Sequence, residues 1–332
     1  MQKYIFYRLI FIFITLFLIV LVNFTILHSI KVGAFETAVI NLEYNKTGAK
    51  VDSDTMQSLK TYFALDENLP LQFLKTFKNY LFFDFGVSYF TKQPVILIIL
   101  DKMKVSLVLG FFSTIFLYLI SITLGYLKTI QGKIFDNIST LFLVILYIIP
   151  TIAMAGMVIL LFDNSSFFVI GGVASENFSQ LSLLEKIKDF TAHMLLPILI
   201  NVCGGLLFIT IFAKNIFLSQ KQKTYYIFAK YKGSSSFNLF KNHLLKNSML
   251  IIFADISSIF LGILFGGSLF IEILFSLDGI GLLSYESIIN KDYPIVLGTI
   301  YLLSFLGLFL RLLNDIIIFN IDKRLKMYEN TF

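Results

Sequence analysis

The chain has little of the charge and sulfur chemistry on which soluble enzymes depend. Of its 332 residues only 14% are charged, whereas about 25% is usual in soluble domains. It has no tryptophan and a single cysteine, Cys203, which excludes an intrachain disulfide and argues against a thiolate metal site. The three histidines, His28, His193 and His243, lie in separate segments and predict no metal cluster.

Catalytic and nucleotide-binding motifs are also missing. The sequence contains no G-x-x-x-x-G-K-[ST] phosphate loop, no H-E-x-x-H zinc motif and no G-x-S-x-G nucleophile motif. No set of side chains suggests convergent catalytic groups. We therefore predict that the chain is not itself an enzyme and binds no cofactor.

What the chain has in abundance is apolar sequence. Hydrophobic residues make up 57% of it, and the mean hydropathy is +0.82. Runs of about 20 apolar residues suffice to cross a bilayer as helices. The sequence predicts an all-α polytopic membrane protein, one domain over 1–332, with six transmembrane helices. We place them at about 9–30, 105–126, 138–161, 193–217, 248–274 and 295–319.

The distribution of charge predicts the orientation. The segment 221–247 carries several lysines and no acidic residue, so we place it in the cytoplasm, together with both termini. The segments 31–102 and 163–191 have mixed charge, and we predict that they are outer loops. The formal net charge of +6 therefore reflects topology and contact with membrane lipid, and we expect no nucleic-acid partner.

The basic segment 221–247 has the pattern of a hairpin. Residues 223–231 permit a helix, Gly233 and the serines after it predict a stop and turn, and Phe237, Phe240 and Leu244 recur at helical spacing. Such a hairpin suits insertion into a groove on a partner protein. A basic loop resting on lipid headgroups is the alternative.

One ionisable residue stands out within a predicted span. Asp255 has no oppositely charged residue close to it in sequence, and carboxyl groups within the bilayer usually face a cavity or a partner. It would then line a polar path. A carboxyl hydrogen-bonded to neighbouring helices is the alternative.

The hairpin resembles the EAA loop of ABC-importer permeases, in particular the dipeptide and oligopeptide branch. The pattern of that branch includes Ala-Arg-x-Lys-Gly followed by a later His and Asn. The matching residues, which the resemblance implies contact the ATPase, are Ala229, Lys230, Lys232, Gly233, His243 and Asn247.

A second and longer resemblance lies downstream, between residues 266 and 302. It follows the order Gly-Gly, Glu, Phe-Ser, Gly-x-Gly and Asp-Tyr-Pro of the same family, and part of it, 275–294, is predicted to be an outer, re-entrant-like loop. The segment 84–95 resembles the outer-loop motif of the family, and 175–182 is especially similar to the B permeases of Yej-type peptide and microcin C importers. The signature residues are Gly266, Glu272, Gly279, Gly281, Asp292, Tyr293 and Pro294.

The resemblance implies a type I importer permease in the bacterial inner membrane. Such a subunit pairs with a second, homologous permease, two ABC ATPase subunits that bind ATP and Mg, and a periplasmic solute-binding protein. The implied cargo is peptide, microcin C-like peptides among them. A permease for nickel or another small solute, or a secondary transporter that uses Asp255, is the alternative.

Overall fold

The computed structural model describes residues 2–29, 68–163, 165, 167–264 and 268–321, and these residues are mostly helical. We number the α-helices in chain order. They are α1 (Gln2–Ser29), α2 (Leu69–Leu81), α3 (Val95–Lys128), α4 (Lys133–Ile148), α5 (Thr151–Phe162), α6 (Leu183–Lys221), α7 (Thr224–Tyr231), α8 (Ser236–Asn238), α9 (Lys246–Ile252), α10 (Ile256–Gly262), α11 (Ser268–Leu274), α12 (Ile280–Ile289) and α13 (Tyr293–Ile321).

Within the described ranges, five helical segments are long and apolar enough to cross a membrane, and a bent pair makes a sixth if it is counted as one span. The pair is α4 and α5, which meet at 94°. Pro150 explains the break, because the residue before a proline is pushed out of the helical region. Ile149 accordingly has the extended angles φ −70° and ψ 120°.

Two helices begin well before the predicted spans. The helix α3 starts at Val95 and α6 at Leu183, each about ten residues before its predicted span and within a predicted outer loop. At about 1.5 Å per residue, the 34 residues of α3 exceed the ~30 Å hydrocarbon core. A capping box fixes the start of α6, since the Ser182 N–H donates to Glu185 Oε2 at 2.9 Å. Hydropathy reports the apolar part of a helix and misses such polar extensions.

The predicted span 248–274 is not one continuous α-helix in the structure. The chain passes from α9 through a 3₁₀ turn, Phe253–Asp255, into α10, and residues 265–267 lie outside the described part before α11. The candidate span here is Ser236–Gly262, which includes the second arm of the predicted hairpin.

Residue contacts divide the chain into two compact units. The first contains Met1–Lys104 and Leu282–Leu312, and the second contains Val105–Gly281 and Leu313–Phe332. An aromatic cluster that includes Tyr80, Phe85 and Tyr301 packs within the first unit, while the second has an aliphatic core drawn mainly from α3, α5 and α6. The single permease domain over 1–332 stays a prediction.

Candidate functional site

The signature segment is held within the second unit by a buried carboxylate. Glu272 on α11 has no solvent exposure. Its Oε1 accepts a hydrogen bond from Ser106 Oγ on α3 at 2.6 Å, and its Oε2 accepts one from the Gly281 N–H at 2.6 Å. The Ser106 Oγ in turn accepts from the Ile280 N–H at 2.8 Å. We call this network the Glu272 clamp; it joins α11, the start of α12 and α3.

The Glu272 clamp explains why glycine stands at two signature positions. A Cβ on Gly279 would lie 2.5 Å from the Glu272 carboxyl carbon and 2.6 Å from Ser106 Oγ. A Cβ on Gly281 would lie 2.7 Å from the Leu269 Cα, which is backbone and cannot turn aside. Only glycine therefore allows the chain to approach closely enough for the Gly281 N–H to reach the carboxylate and the Ile280 N–H to reach Ser106.

A second buried carboxylate organises the first unit. Asp292, 2% exposed, accepts from Ser88 Oγ at 2.6 Å and from the Tyr89 N–H at 3.3 Å. Burial raises the pKa of the Asp292 carboxyl, and the hydrogen bonds from Ser88 and Tyr89 oppose that rise. We call this contact the Asp292 clamp. It joins the signature to the motif 84–95. Tyr89 and Asp292 are 203 residues apart in sequence.

The segment around the Asp292 clamp is a tight turn closed by local bonds. The Ser88 N–H donates to the Gln93 carbonyl at 3.0 Å, and the Val95 N–H donates to the Gly86 carbonyl at 3.0 Å. Tyr293 begins α13 and Pro294 follows it, in the first turn, where a missing N–H costs no helical hydrogen bond. Gly266, the remaining signature residue, lies outside the described part of the chain.

The basic segment forms a helical hairpin. The helix α7 ends before Gly233, whose φ of +80° lies in the left-handed region, and α8 begins after Ser235. A π-helical stretch, Leu239–Leu245, then leads into α9. The positive φ explains the glycine, because a Cβ would be strained there.

The hairpin is anchored on one side. The Lys221 Nζ donates to the Thr129 carbonyl at 3.0 Å, and the Phe240 ring packs 4.0 Å from the Tyr126 ring. Leu244 is 1% exposed in the same apolar cluster. These contacts fix the base of the hairpin and leave the turn outside the core.

The predicted ATPase-contacting residues fall into two groups. Lys230, Lys232 and Gly233 are exposed. Ala229 is buried, the His243 ring stacks on the Tyr225 ring at 6.4 Å, and the Asn247 amide donates to the His243 carbonyl at 2.8 Å. The last two side chains therefore make contacts within the hairpin.

Exposed apolar side chains surround the turn of the hairpin. Phe237 was predicted to lie on the second arm, whereas Phe228 and Tyr231 were not among the predicted contact residues. Tyr231 is 87% exposed, Phe237 69% and Phe228 59%. The Lys232 Nζ lies 4.7 Å above the Phe228 ring. Such residues beside lysines form a surface suited to a protein partner.

Asp255 ends the 3₁₀ turn between α9 and α10, and its side chain is exposed on this chain. The Asn314 amide donates to the neighbouring Ala254 carbonyl at 2.6 Å, which satisfies one backbone group at this break. The role of Asp255 in a polar path stays a prediction.

The geometry of the described residues is that of a hydrogen-bonded scaffold. Across the described ranges no group of three or more His, Cys, Asp or Glu side chains is placed to hold a metal ion. Both signature carboxylates are occupied by hydrogen bonds to their own chain. What the arrangement provides is rigid connection between distant segments, together with an exposed hairpin.

Comparison with known proteins agrees with this description. Residues 118–327 match the family model described as binding-protein-dependent transport system inner membrane component. The chain is 32% identical to the inner membrane ABC transporter permease protein YejB of Escherichia coli O157:H7, over 98% of this chain and 99% of that protein. It is 37% identical to the peptidoglycan transport system permease protein YejB of Agrobacterium fabrum, over 85% and 80%.

A more distant relative is the dipeptide transport system permease protein DppB of Lactococcus lactis, 26% identical over 98% of this chain and all of that protein. Permeases of this kind are normally non-catalytic and work with ATPase and binding-protein partners. The predicted family and all-α permease fold are confirmed. The chain is a multi-pass inner-membrane protein and belongs to the family of binding-protein-dependent transport system inner membrane components, the permeases of ABC importers.

Proposed function

We propose that the chain is the permease subunit of an ATP-driven importer of peptides and forms half of its translocation path. The relatives are named for peptidoglycan and dipeptide transport, which supports peptides, including those derived from peptidoglycan, as cargo. The complex we propose contains a second permease, two ATPases that bind ATP and Mg, and a periplasmic binding protein. Both termini and the hairpin would then face the cytoplasm.

The observation that carries the proposal is the exposed turn of the hairpin. Phe228, Tyr231 and Phe237 offer apolar area, and Lys230 and Lys232 offer donors for acidic or carbonyl groups on an ATPase. The base is fixed to the second unit through Lys221 and Phe240. A push on the turn would therefore pass to α6 and α9 as a rigid-body movement.

The two clamps would have the complementary role of keeping the signature segment in one arrangement during transport. Each bonds a buried carboxyl group to a serine hydroxyl and to a backbone amide. Because a buried polar group that loses its partner destabilises the fold, these hydrogen bonds favour one arrangement of each segment.

The proposal is tested by purifying the tagged chain from its native membranes in mild detergent and identifying what accompanies it by mass spectrometry. We expect a second permease and ATPases, with ATP hydrolysis stimulated by the binding protein and peptide. Uptake of peptides by cells should depend on the chain. Solute counterflow by the chain alone, without ATPases, would instead indicate a secondary transporter, and nickel uptake without peptide uptake would overturn the cargo.

A further inference from the structure

A cavity of about 370 Å³ lies among α3, α5, α6 and the end of α10, all within the second unit. This volume falls within the roughly 300–1,000 Å³ range of small-molecule sites. No charged side chain and no histidine belongs to the described residues that line it. Gly204 and Gly262 are part of the lining, and a Cβ on either would meet no atom within 4 Å. The cavity is open at these two positions.

One lining residue is a buried amide whose donor is unused. Asn201, near the middle of α6, is 5% exposed, and its Nδ2 has no hydrogen-bond partner. Buried polar atoms in native proteins almost always have a partner, so an exception calls for an explanation. A ligand that carries an acceptor and fits a cavity of this size would supply one.

A second source of donors meets the same cavity. Thr151, which lines it, is the first residue of α5. The Met154 N–H donates to the Pro150 carbonyl at 3.0 Å, so the N–H groups of Thr151, Ile152 and Ala153 precede the first intrahelical bond. The N-terminus of α5 carries partial positive charge and favours acceptor oxygens. The break at Pro150 thus creates a helix end in the middle of a predicted span.

We propose that this cavity binds main-chain carbonyl oxygens of a peptide in transit, with Asn201 Nδ2 as the donor and the first turn of α5 as support. This rests on the proposed function. A carboxylate fits less well, because the described lining residues include no cation to offset its loss of hydration. Every peptide has main-chain carbonyl groups, so the contact accepts peptides of any side-chain sequence.

The test uses the complete importer in proteoliposomes, with its binding protein in excess and a defined mixture of tripeptides whose uptake is read by mass spectrometry. Asn201→Leu keeps the size of the side chain and removes the donor. We expect the maximal uptake rate to fall about three- to tenfold, the worth of one hydrogen bond. The half-saturating concentration, set by the binding protein, should not change. Asn201→Gln should recover part of the rate.

Ser113→Ala is the matched control, since the Ser113 Oγ is also buried without a partner but does not line the cavity. It should leave uptake unchanged. A rate unaffected by Asn201→Leu, or an equal loss in Ser113→Ala, would overturn the subsite while leaving peptide import intact. Failure of the unaltered importer to take up any tripeptide would overturn the peptide assignment itself, and the subsite with it.

Filling the cavity gives an independent measurement. Gly204→Leu places a side chain in the open space, and Gly156→Leu adds the same side chain at a glycine that also has no atom within 4 Å but lies outside the lining. We expect Gly204→Leu to reduce uptake at least as much as Asn201→Leu and Gly156→Leu to retain it, at equal recovery of the assembled complex. Equal uptake by both leucine variants would count against a ligand in this cavity.

Discussion

The clamps and the hairpin turn both contain family-signature residues, but the clamp residues are buried and the hairpin residues are exposed. In the clamps, Glu272 and Asp292 are buried and bonded to serine and backbone donors of their own chain. In the hairpin turn, Lys230, Lys232 and the aromatic side chains around them are exposed. A signature residue can therefore serve the fold or a partner, and burial distinguishes the two.

This difference separates residues that stabilise the chain from residues that couple it to a partner. Loss of a clamp removes hydrogen bonds within the chain and should lower its stability. Loss of an exposed hairpin side chain removes no comparable bond and should act only when a partner is present. The predictions below test that separation, beginning with the largest expected effect.

Replacement of Gly233 should have the largest effect on transport. Valine at φ +80° is strained by about 1–2 kcal/mol or more and would distort the turn that presents the aromatic residues. We expect Gly233→Val to abolish peptide uptake while membrane insertion, followed by protease protection, stays normal.

Gly233→Asn is the matched control, because asparagine tolerates positive φ and no atom lies within 4 Å of the added Cβ. It should retain most of the uptake. Equal loss in both variants would mean that the side chain itself, rather than the backbone angle, is excluded from the turn.

Breaking the Glu272 clamp should have the largest effect on stability. Glu272→Ala leaves the Ser106 hydroxyl and the Gly281 N–H without their buried acceptor, at a cost of about 2–4 kcal/mol. The melting temperature of the purified chain in detergent should fall clearly. Glu286→Ala, on the exposed surface of α12, should leave it unchanged. A melting temperature unaffected by Glu272→Ala would remove the structural role of the clamp.

The sequence predicted the elements better than their connections. Apolar runs and the glycine at 233 locate the helices and the hairpin turn, because burial in lipid and positive φ leave local marks in sequence. Ser106 leaves no such mark, since a serine in an apolar helix looks the same whether or not it bonds Glu272. Its partner lies 166 residues away. Ser88 lies within a recognisable motif, yet its bond to Asp292 is equally nonlocal.

The sequence also did not show which hairpin side chains are exposed. The lysines of the hairpin were singled out because charge is conspicuous in an apolar chain, and Phe237 because it recurs at helical spacing, whereas Tyr231 resembles the aromatic residues of any span. His243 and Asn247 matched a family pattern, but their orientation toward the hairpin itself depends on helical geometry that the pattern does not specify.

Truncation of the aromatic residues at the turn should weaken binding of the ATPase without changing the stability of the chain. Tyr231→Ala and Phe237→Ala remove side chains that are 87% and 69% exposed, so the melting temperature of the isolated chain should change little. Recovery of the ATPases with the tagged chain should fall several-fold, as expected when an interface loses an aromatic anchor. Tyr285→Ala, which removes a partly exposed tyrosine of α12, serves as control. Undiminished ATPase recovery would place the docking surface elsewhere.

The smallest expected effect concerns the pH dependence of the Asp292 clamp. Burial raises the pKa of this carboxyl above its ordinary value of 3.8, so the folded chain holds the proton more tightly than the unfolded chain does. Its contribution to stability is therefore largest below 3.8 and declines as the pH rises through the raised pKa. Asp292→Asn retains an acceptor for Ser88 and cannot titrate. The melting temperature of the variant, measured from pH 4 upward, should decline less than that of the unaltered chain. Parallel curves would show that the hydrogen bonds from Ser88 and Tyr89 fully offset the effect of burial on the Asp292 pKa. The clamp would then contribute equally to stability at every pH tested.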